Sequence, residues 1–172
     1  MGATAERVSV EASDNYVFQR SLLAYHTAAQ MIKGVVLEIG TGSGYGIDVV
    51  APGAEKFITI DKFDCGADLS QHTNVEFRKM TVPPLTGIAD ESVDCVISFQ
   101  VIEHIEDDVK MVDEVWRVLR PGGRFIVSTP NRLMSLTRNP WHVREYTPEE
   151  FTALLQTRFD KVKPMGVSGN AK

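Results

Sequence analysis

The sequence predicts an α/β fold: a doubly wound, mostly parallel sheet in three α/β/α layers. Three observations carry this expectation. The apolar run Val35-Val36-Leu37-Glu38-Ile39 leads straight into Gly40-Thr41-Gly42-Ser43-Gly44-Tyr45-Gly46, and a buried strand entering a glycine turn is how a parallel sheet commonly meets a ligand. Further strand-like runs, at residues 56–61, 75–82, 93–99 and 124–129, alternate with helical or crossover segments, which favours parallel pairing. Residues 106–119 put Val109, Val112, Val115, Trp116 and Leu119 on one face of a helix, the stripe that packs on a sheet.

In chain order, residues 1–14 are polar and expected to be disordered. Residues 15–32 carry apolar side chains at helical spacing and Asp14 in a capping position, so a covering helix is expected there. It either packs the sheet or forms a lid over a ligand. Lys33-Gly34 ends it. Residues 47–50 allow only a short helix before Ala51-Pro52-Gly53, and residues 62–74 are too polar and short for a full crossover helix. Pro83-Pro84 stops the third strand. Asp107 and Asp108 suit the positive end of the helix at 106–119, and Arg120-Pro121-Gly122-Gly123 terminates it. A long loop, residues 130–146, follows; its length favours a binding role. Thr147-Pro148-Glu149-Glu150 is a capping box that opens a helix to about residue 157. A sixth strand is expected at residues 159–167.

Composition narrows the function. At 172 residues the chain reads as one domain, 1–172, with 43% hydrophobic residues and a net charge of −5. An acidic chain with no Lys/Arg cluster lacks the footprint of a nucleic-acid binder. There is no apolar run long enough to span a membrane, no signal-peptide pattern, and no Ser/Thr where Met1-Gly2 would need one for myristoylation. Cys65 and Cys95 form neither a disulfide framework nor a metal pair, and the histidines have no zinc spacing. No metal is therefore expected, and the expected location is cytoplasmic.

The glycine turn invites a ligand at the carboxyl ends of the strands. The dinucleotide pattern G-x-G-x-x-G fails, because Tyr45 or Ile47 stands where its third glycine belongs. A phosphate-binding Walker pattern fails as well, since no Gly-Lys-Ser/Thr follows. Glycine at every second position instead suits a backbone wrapped around a smaller group without phosphate. Asp61 ends a strand 21 positions after Gly40, where a carboxylate can take both hydroxyls of a ribose.

At this point the chain resembles the class I S-adenosylmethionine-dependent methyltransferases, over about residues 35–159. The resemblance rests on the stretch from Val35 to Gly44, on Ile60-Asp61, on Asp90 to Ser98, on Val101-Ile102-Glu103-His104-Ile105 and on Leu119-Arg120-Pro121-Gly122-Gly123. It implies the Rossmann-like methyltransferase fold and S-adenosyl-L-methionine as cofactor, with S-adenosyl-L-homocysteine as product. It also implies roles. Glu38, Gly40, Thr41, Gly42 and Gly44 would approach the methionine part, Asp61 the ribose, and Lys62 and Phe63 the adenine. Met80 and Thr81 stand where the family often has an acid for the adenine amino group. Phe99 and Gln100 would face the sulfonium. The family's final antiparallel strand is expected to be absent, since only residues 168–172 follow; the open edge could take a second copy of the chain.

The resemblance implies methyl transfer to a small-molecule acceptor. Positioning supplies most of such catalysis, up to about 7–11 kcal/mol; a base adds about 10²–10⁴-fold where the acceptor must lose a proton. His104 and His142 are the leading base candidates, beside Glu103 and Glu145. Trp141, His142, Arg144 and Tyr146 in the long loop are the candidate acceptor contacts. Ser98-Phe99-Gln100-Val101 replaces the Asn/Asp-Pro-Pro-aromatic motif of amino-methylating DNA enzymes. Two other readings stay open: a non-catalytic module that binds a cofactor or partner, and a nicotinamide oxidoreductase, which lacks both its glycine fingerprint and a Tyr-x-x-x-Lys pair.

Overall fold

The computed structural model describes residues 15–135 and 139–167, with side chains from residue 18 onward. The expectations for residues 1–14 and 168–172 lie outside them. The elements are α1 (Asn15–Ala29), β1 (Val35–Ile39), α2 (Ile47–Val50), β2 (Lys56–Asp61), β3 (Val75–Lys79), β4 (Val93–Phe99), α3 (Asp108–Val118), β5 (Leu119–Ser128) and α4 (Pro148–Gln156), with short 3-10 turns at Ala51–Gly53, Ile102–His104 and Arg132–Met134. The five strands are all parallel, in the order β3-β2-β1-β4-β5. Strand order therefore reverses between β1 and β4, which opens a crevice at their carboxyl ends.

The central strands have apolar side chains on both faces, as burial on both faces requires. Leu37 and Ile39 of β1 pack with Val96 and with Met111, Val115 and Val118 of α3. Val36, on the opposite face, packs with Tyr25 and Ala28 of α1 and with Ile47 and Val50 of α2. A third cluster joins Ile102, Val112, Tyr146 and Leu155 and seats the long loop and α4 on the rest. The three-layer architecture is the predicted one.

Boundaries differ where pairing decides them. The third strand stops at Lys79 rather than at residue 82, because its neighbour β2 ends at Asp61, which pairs with Lys79. The helix expected from residue 106 starts at Asp108, because Asp107 caps it by accepting from the Lys110 N–H at 3.0 Å. The sixth strand does not form: residues 161–167 have no regular structure. Lys161, Lys163 and Pro164 suit no buried strand, and Phe159 instead packs edge-on against Trp116 and tilted on Phe125. The capping box at Thr147 and Glu150 forms as expected, both bonds present.

Candidate active site

The glycine turn lies at the mouth of the crevice. Gly40, Gly42 and Gly44 all have left-handed φ angles, +93°, +58° and +85°, which L-residues adopt only at a cost. A Cβ on Gly40 would stand 2.3 Å from Val101 Cγ2, and one on Gly44 2.6 Å from Ala67 Cβ. A Cβ on Gly42 would meet nothing within 4 Å. Gly42 is thus the point where the backbone borders open space. Its N–H donates to Asp61 Oδ2 at 2.9 Å, and the Phe63 N–H donates to Asp61 Oδ1 at 2.9 Å. Each carboxylate oxygen retains a second lone pair for a ligand hydroxyl.

Behind the turn is a buried relay. With Glu38 ionised, Thr59 donates to Glu38 Oε2 and the Thr41 hydroxyl, 2.6 Å away, donates to Thr59 Oγ1. The Tyr25 hydroxyl donates to Glu38 Oε1 at 2.7 Å. Both Glu38 and Thr41 are buried, and their side chains brace the turn from inside. Burial raises the Glu38 carboxyl to about 7, against the opposing pull of its Thr59 and Tyr25 hydrogen bonds. Burial, and then the Glu38 charge, raise the Tyr25 hydroxyl well above its usual range.

The other predicted cofactor positions gather around the same opening. Lys62 is exposed, its ammonium 5.1 Å from the centre of the half-buried Phe63 ring. Met80 packs partly into the core and its N–H donates to the Asp61 carbonyl at 2.8 Å, while Thr81 is exposed. Phe99 stacks edge-on against Tyr25 at 4.9 Å. Gln100 turns the chain with a left-handed φ of +57°, an unusual conformation for glutamine. Its backbone N–H and side-chain amide both bond to Ser128, at 3.0 and 3.2 Å.

The candidate acceptor residues hang from the next turn. The Glu103 carbonyl accepts from the Val143 and Arg144 N–H groups at 2.9 and 3.3 Å, which pins the loop to the end of β4. His104 and His142 thereby stack edge-on, ring centres 5.0 Å apart. His142 is buried and its Nδ1 lies 2.8 Å from Glu145 Oε1; that contact holds the Glu145 carboxyl below its usual range. Trp141 is exposed. Arg144 and the buried Tyr146 are both committed to Asp108, the tyrosine at 2.8 Å. They brace the loop first, and burial raises the Tyr146 hydroxyl above its usual range. A cavity of about 390 Å³ lies beside this knot, bordered by Arg132 and Glu150, which pair at 2.9 Å. Tyr25, Thr59 and Asp108 are the residues that sequence reasoning missed; no spacing rule ties them to partners so distant in the chain.

A parallel sheet with an alternating-glycine turn and a strand-end acid is a setting for a nucleoside cofactor. The chain belongs to the methyltransferase domain family, whose model matches residues 37–127. A Mycolicibacterium smegmatis protein named "Probable S-adenosylmethionine-dependent methyltransferase" is 39% identical over 165 residues, covering 91% of this chain and 64% of that protein. A Mycobacterium tuberculosis protein of the same description is 38% identical over 150 residues, covering 83% and 54%. The chain thus spans between about half and two thirds of these curated relatives. Among solved structures, the N-methyltransferase NodS from Bradyrhizobium japonicum, in complex with S-adenosylhomocysteine, superposes with a TM-score of 0.73. At 16% identity, over 99% of this chain and 87% of that one, it supports the fold alone.

Proposed function

We propose that this chain is the S-adenosylmethionine-binding domain of a methyltransferase acting on a small-molecule acceptor. The observation that carries the reading is Gly42: left-handed, open on its outer side, and tied to Asp61. A ribose hydroxyl fits there, against a carboxylate with lone pairs to spare, and no helix N-terminus of useful length stands behind the turn to attract a pyrophosphate. When bound, the cofactor supplies a methyl group on a sulfonium leaving group.

The chain's own residues then position. Asp61 holds the ribose. Lys62 and Phe63 flank the adenine, with Met80 and Thr81 at its edge. The backbones of Gly40, Gly42 and Gly44 border the methionine part, and Phe99 and Gln100 close the crevice beside it. Glu38 and Thr41 keep the turn in shape through Thr59. Trp141, His142 and Arg144 offer the acceptor side, with Tyr146 as their anchor. His142, steadied by Glu145, and His104 are the groups able to take a proton from the acceptor. No described helix is long and apolar enough to cross a membrane. A cytoplasmic location, no nucleic-acid partner and a homodimer through the β5 edge complete the reading.

Thermal unfolding with S-adenosylmethionine, S-adenosylhomocysteine and NAD tests it. A ligand at 100 times its dissociation constant stabilises by about 2.7 kcal/mol. Both adenosyl ligands should raise the midpoint and NAD should not; stabilisation by NAD alone overturns the reading. Cofactor binding with no turnover across a panel of phenols, amines and carboxylates would instead mark a non-catalytic binding module.

A further inference from the structure

Three electron-pair donors converge where the long loop meets the end of β4. One nitrogen each of His104 and His142 and a carboxylate oxygen of Glu103 lie within 4.8 Å of one another. Chain spacing hides this cluster, because His142 is far from His104 in sequence and arrives only through the loop's bonds to the Glu103 carbonyl.

The neighbours orient these donors. His104 Nδ1 lies 3.0 Å from the Trp141 carbonyl, which can only accept, so Nδ1 carries the proton and Nε2 the lone pair. His142 Nδ1 faces the Glu145 carboxylate, which likewise leaves Nε2 as the lone-pair nitrogen. The Asn139 amide, 3.2 Å from that Nε2, is the donor that a bound ion would displace. Glu103 is almost fully buried and is steadied by the Thr129 hydroxyl at 3.1 Å. A carboxylate and a carbonyl that each fix an imidazole through its far nitrogen form the outer shell expected around metal-bound histidines. Ligand atoms about 2.0–2.2 Å from a tetrahedral ion stand about 3.3–3.6 Å apart, so each of these donors, within 4.8 Å of one another, closes on an ion by an inward shift of under about 1 Å.

We propose that Glu103, His104 and His142 bind one divalent first-row transition-metal cation. Two imidazoles and one carboxylate suit zinc, iron, cobalt or nickel better than magnesium or calcium, which favour oxygen donors. Three protein ligands leave at least one coordination position open, the pattern of a reactive site rather than a structural one.

The test is a titration of chelator-treated protein with Co²⁺, followed by visible absorption, and with Zn²⁺, followed by calorimetry. Cofactor and acceptor are both left out, so failure of the methyl-transfer reading would not alter the outcome. One cation per chain is expected. His104→Ala and Glu103→Gln should each weaken binding by more than about 100-fold, and Glu145→Gln, which reaches the proposed ligands through His142, by about 10–100-fold. Circular dichroism with cooperative thermal unfolding checks each variant's fold; should Glu103→Gln unfold, the other two carry the test. Magnesium binding as tightly as zinc, equal affinity in His104→Ala and the parent chain, or a Co²⁺ spectrum no different from the aqueous ion would each overturn the proposal.

Discussion

Tyr25 of α1 donates its hydroxyl to Glu38 of β1 at 2.7 Å, and the same ring blocks the space beside Gly46, where a Cβ would come within 2.1 Å of it. One side chain therefore couples the covering helix to both ends of the glycine turn. The packing reading of the helix is the one observed: α1 buries Tyr25 and Ala28 in the core, and through Tyr25 it holds the turn that borders the crevice.

Glu38 should make stability fall as pH rises. It keeps its proton to about pH 7 in the fold, whereas its ordinary carboxyl value is 4.5. Between those values the native state binds more protons than the unfolded chain, so the slope is negative, and the loss levels off above pH 7. At about 1.4 kcal/mol per pKa unit, it reaches about 3 kcal/mol. Glu38→Gln removes the titration, so its thermal midpoint should gain on that of the parent chain between pH 5 and pH 8. A difference that stays constant across that range would refute the assignment.

Two neighbouring glycines should fail in opposite ways. Gly46→Ala drives a methyl into the Tyr25 ring and should cost about 1–3 kcal/mol of stability by overpacking, with cofactor affinity in the surviving folded fraction little changed. Gly42→Ala meets no protein atom; it should cost only about 1–2 kcal/mol for its left-handed backbone, yet it puts a methyl where the ligand would lie. Its affinity for S-adenosylhomocysteine should drop at least tenfold. Denaturant unfolding and calorimetry separate the two, and equal affinity in Gly42→Ala and the parent chain would show that the ligand lies elsewhere.

These contrasts mark what the sequence could tell. The glycine spacing, the apolar runs and Asp61 are local patterns, and they placed the sheet, the turn and its strand-end acid correctly. The family resemblance set Glu38 beside the methionine part of the cofactor, and its hydrogen-bond partners lie outside any motif. Only the register Glu38↔Thr59, together with the arrival of Tyr25 from α1, turns it inward. Arg144 and Tyr146 stood as candidate acceptor contacts, and the fold adds Asp108 beneath them. The failed sixth strand has the same cause: residues 159–167 have some strand character, and the chain uses Phe159 to cover Trp116 instead. Such pairings join residues far apart in the chain, and no period or motif records them.

Ser98 of β4 carries the one buried side-chain oxygen without a hydrogen-bond partner among the described residues. An unpaired buried hydroxyl costs about 1–3 kcal/mol in desolvation, and alanine fills nearly the same space. Ser98→Ala should therefore raise stability, or leave it unchanged, by urea unfolding at neutral pH. A loss above about 1 kcal/mol would mean that the hydroxyl has a partner in solution, such as a bound water.

Asp61 separates ligand binding from turn bracing. Its two oxygens already accept from Gly42 and Phe63, and the ribose would take the remaining lone pairs. Asp61→Asn keeps the shape and one acceptor oxygen but loses the charge. Hydrogen bonds to a charged group contribute about 1.5–3 kcal/mol, so S-adenosylhomocysteine should bind about 10–100-fold more weakly, with a modest change in the ligand-free midpoint. Asp61→Ala takes away both acceptors, and should add a loss of about 1–2 kcal/mol in ligand-free stability as the turn loses its tie to β2. The order in affinity should be parent, Asn, Ala. If Asp61→Asn binds as tightly as the parent chain, the ribose is not at Asp61. If Asp61→Ala loses affinity without losing stability, the bonds to Gly42 and Phe63 hold nothing in place before the ligand arrives.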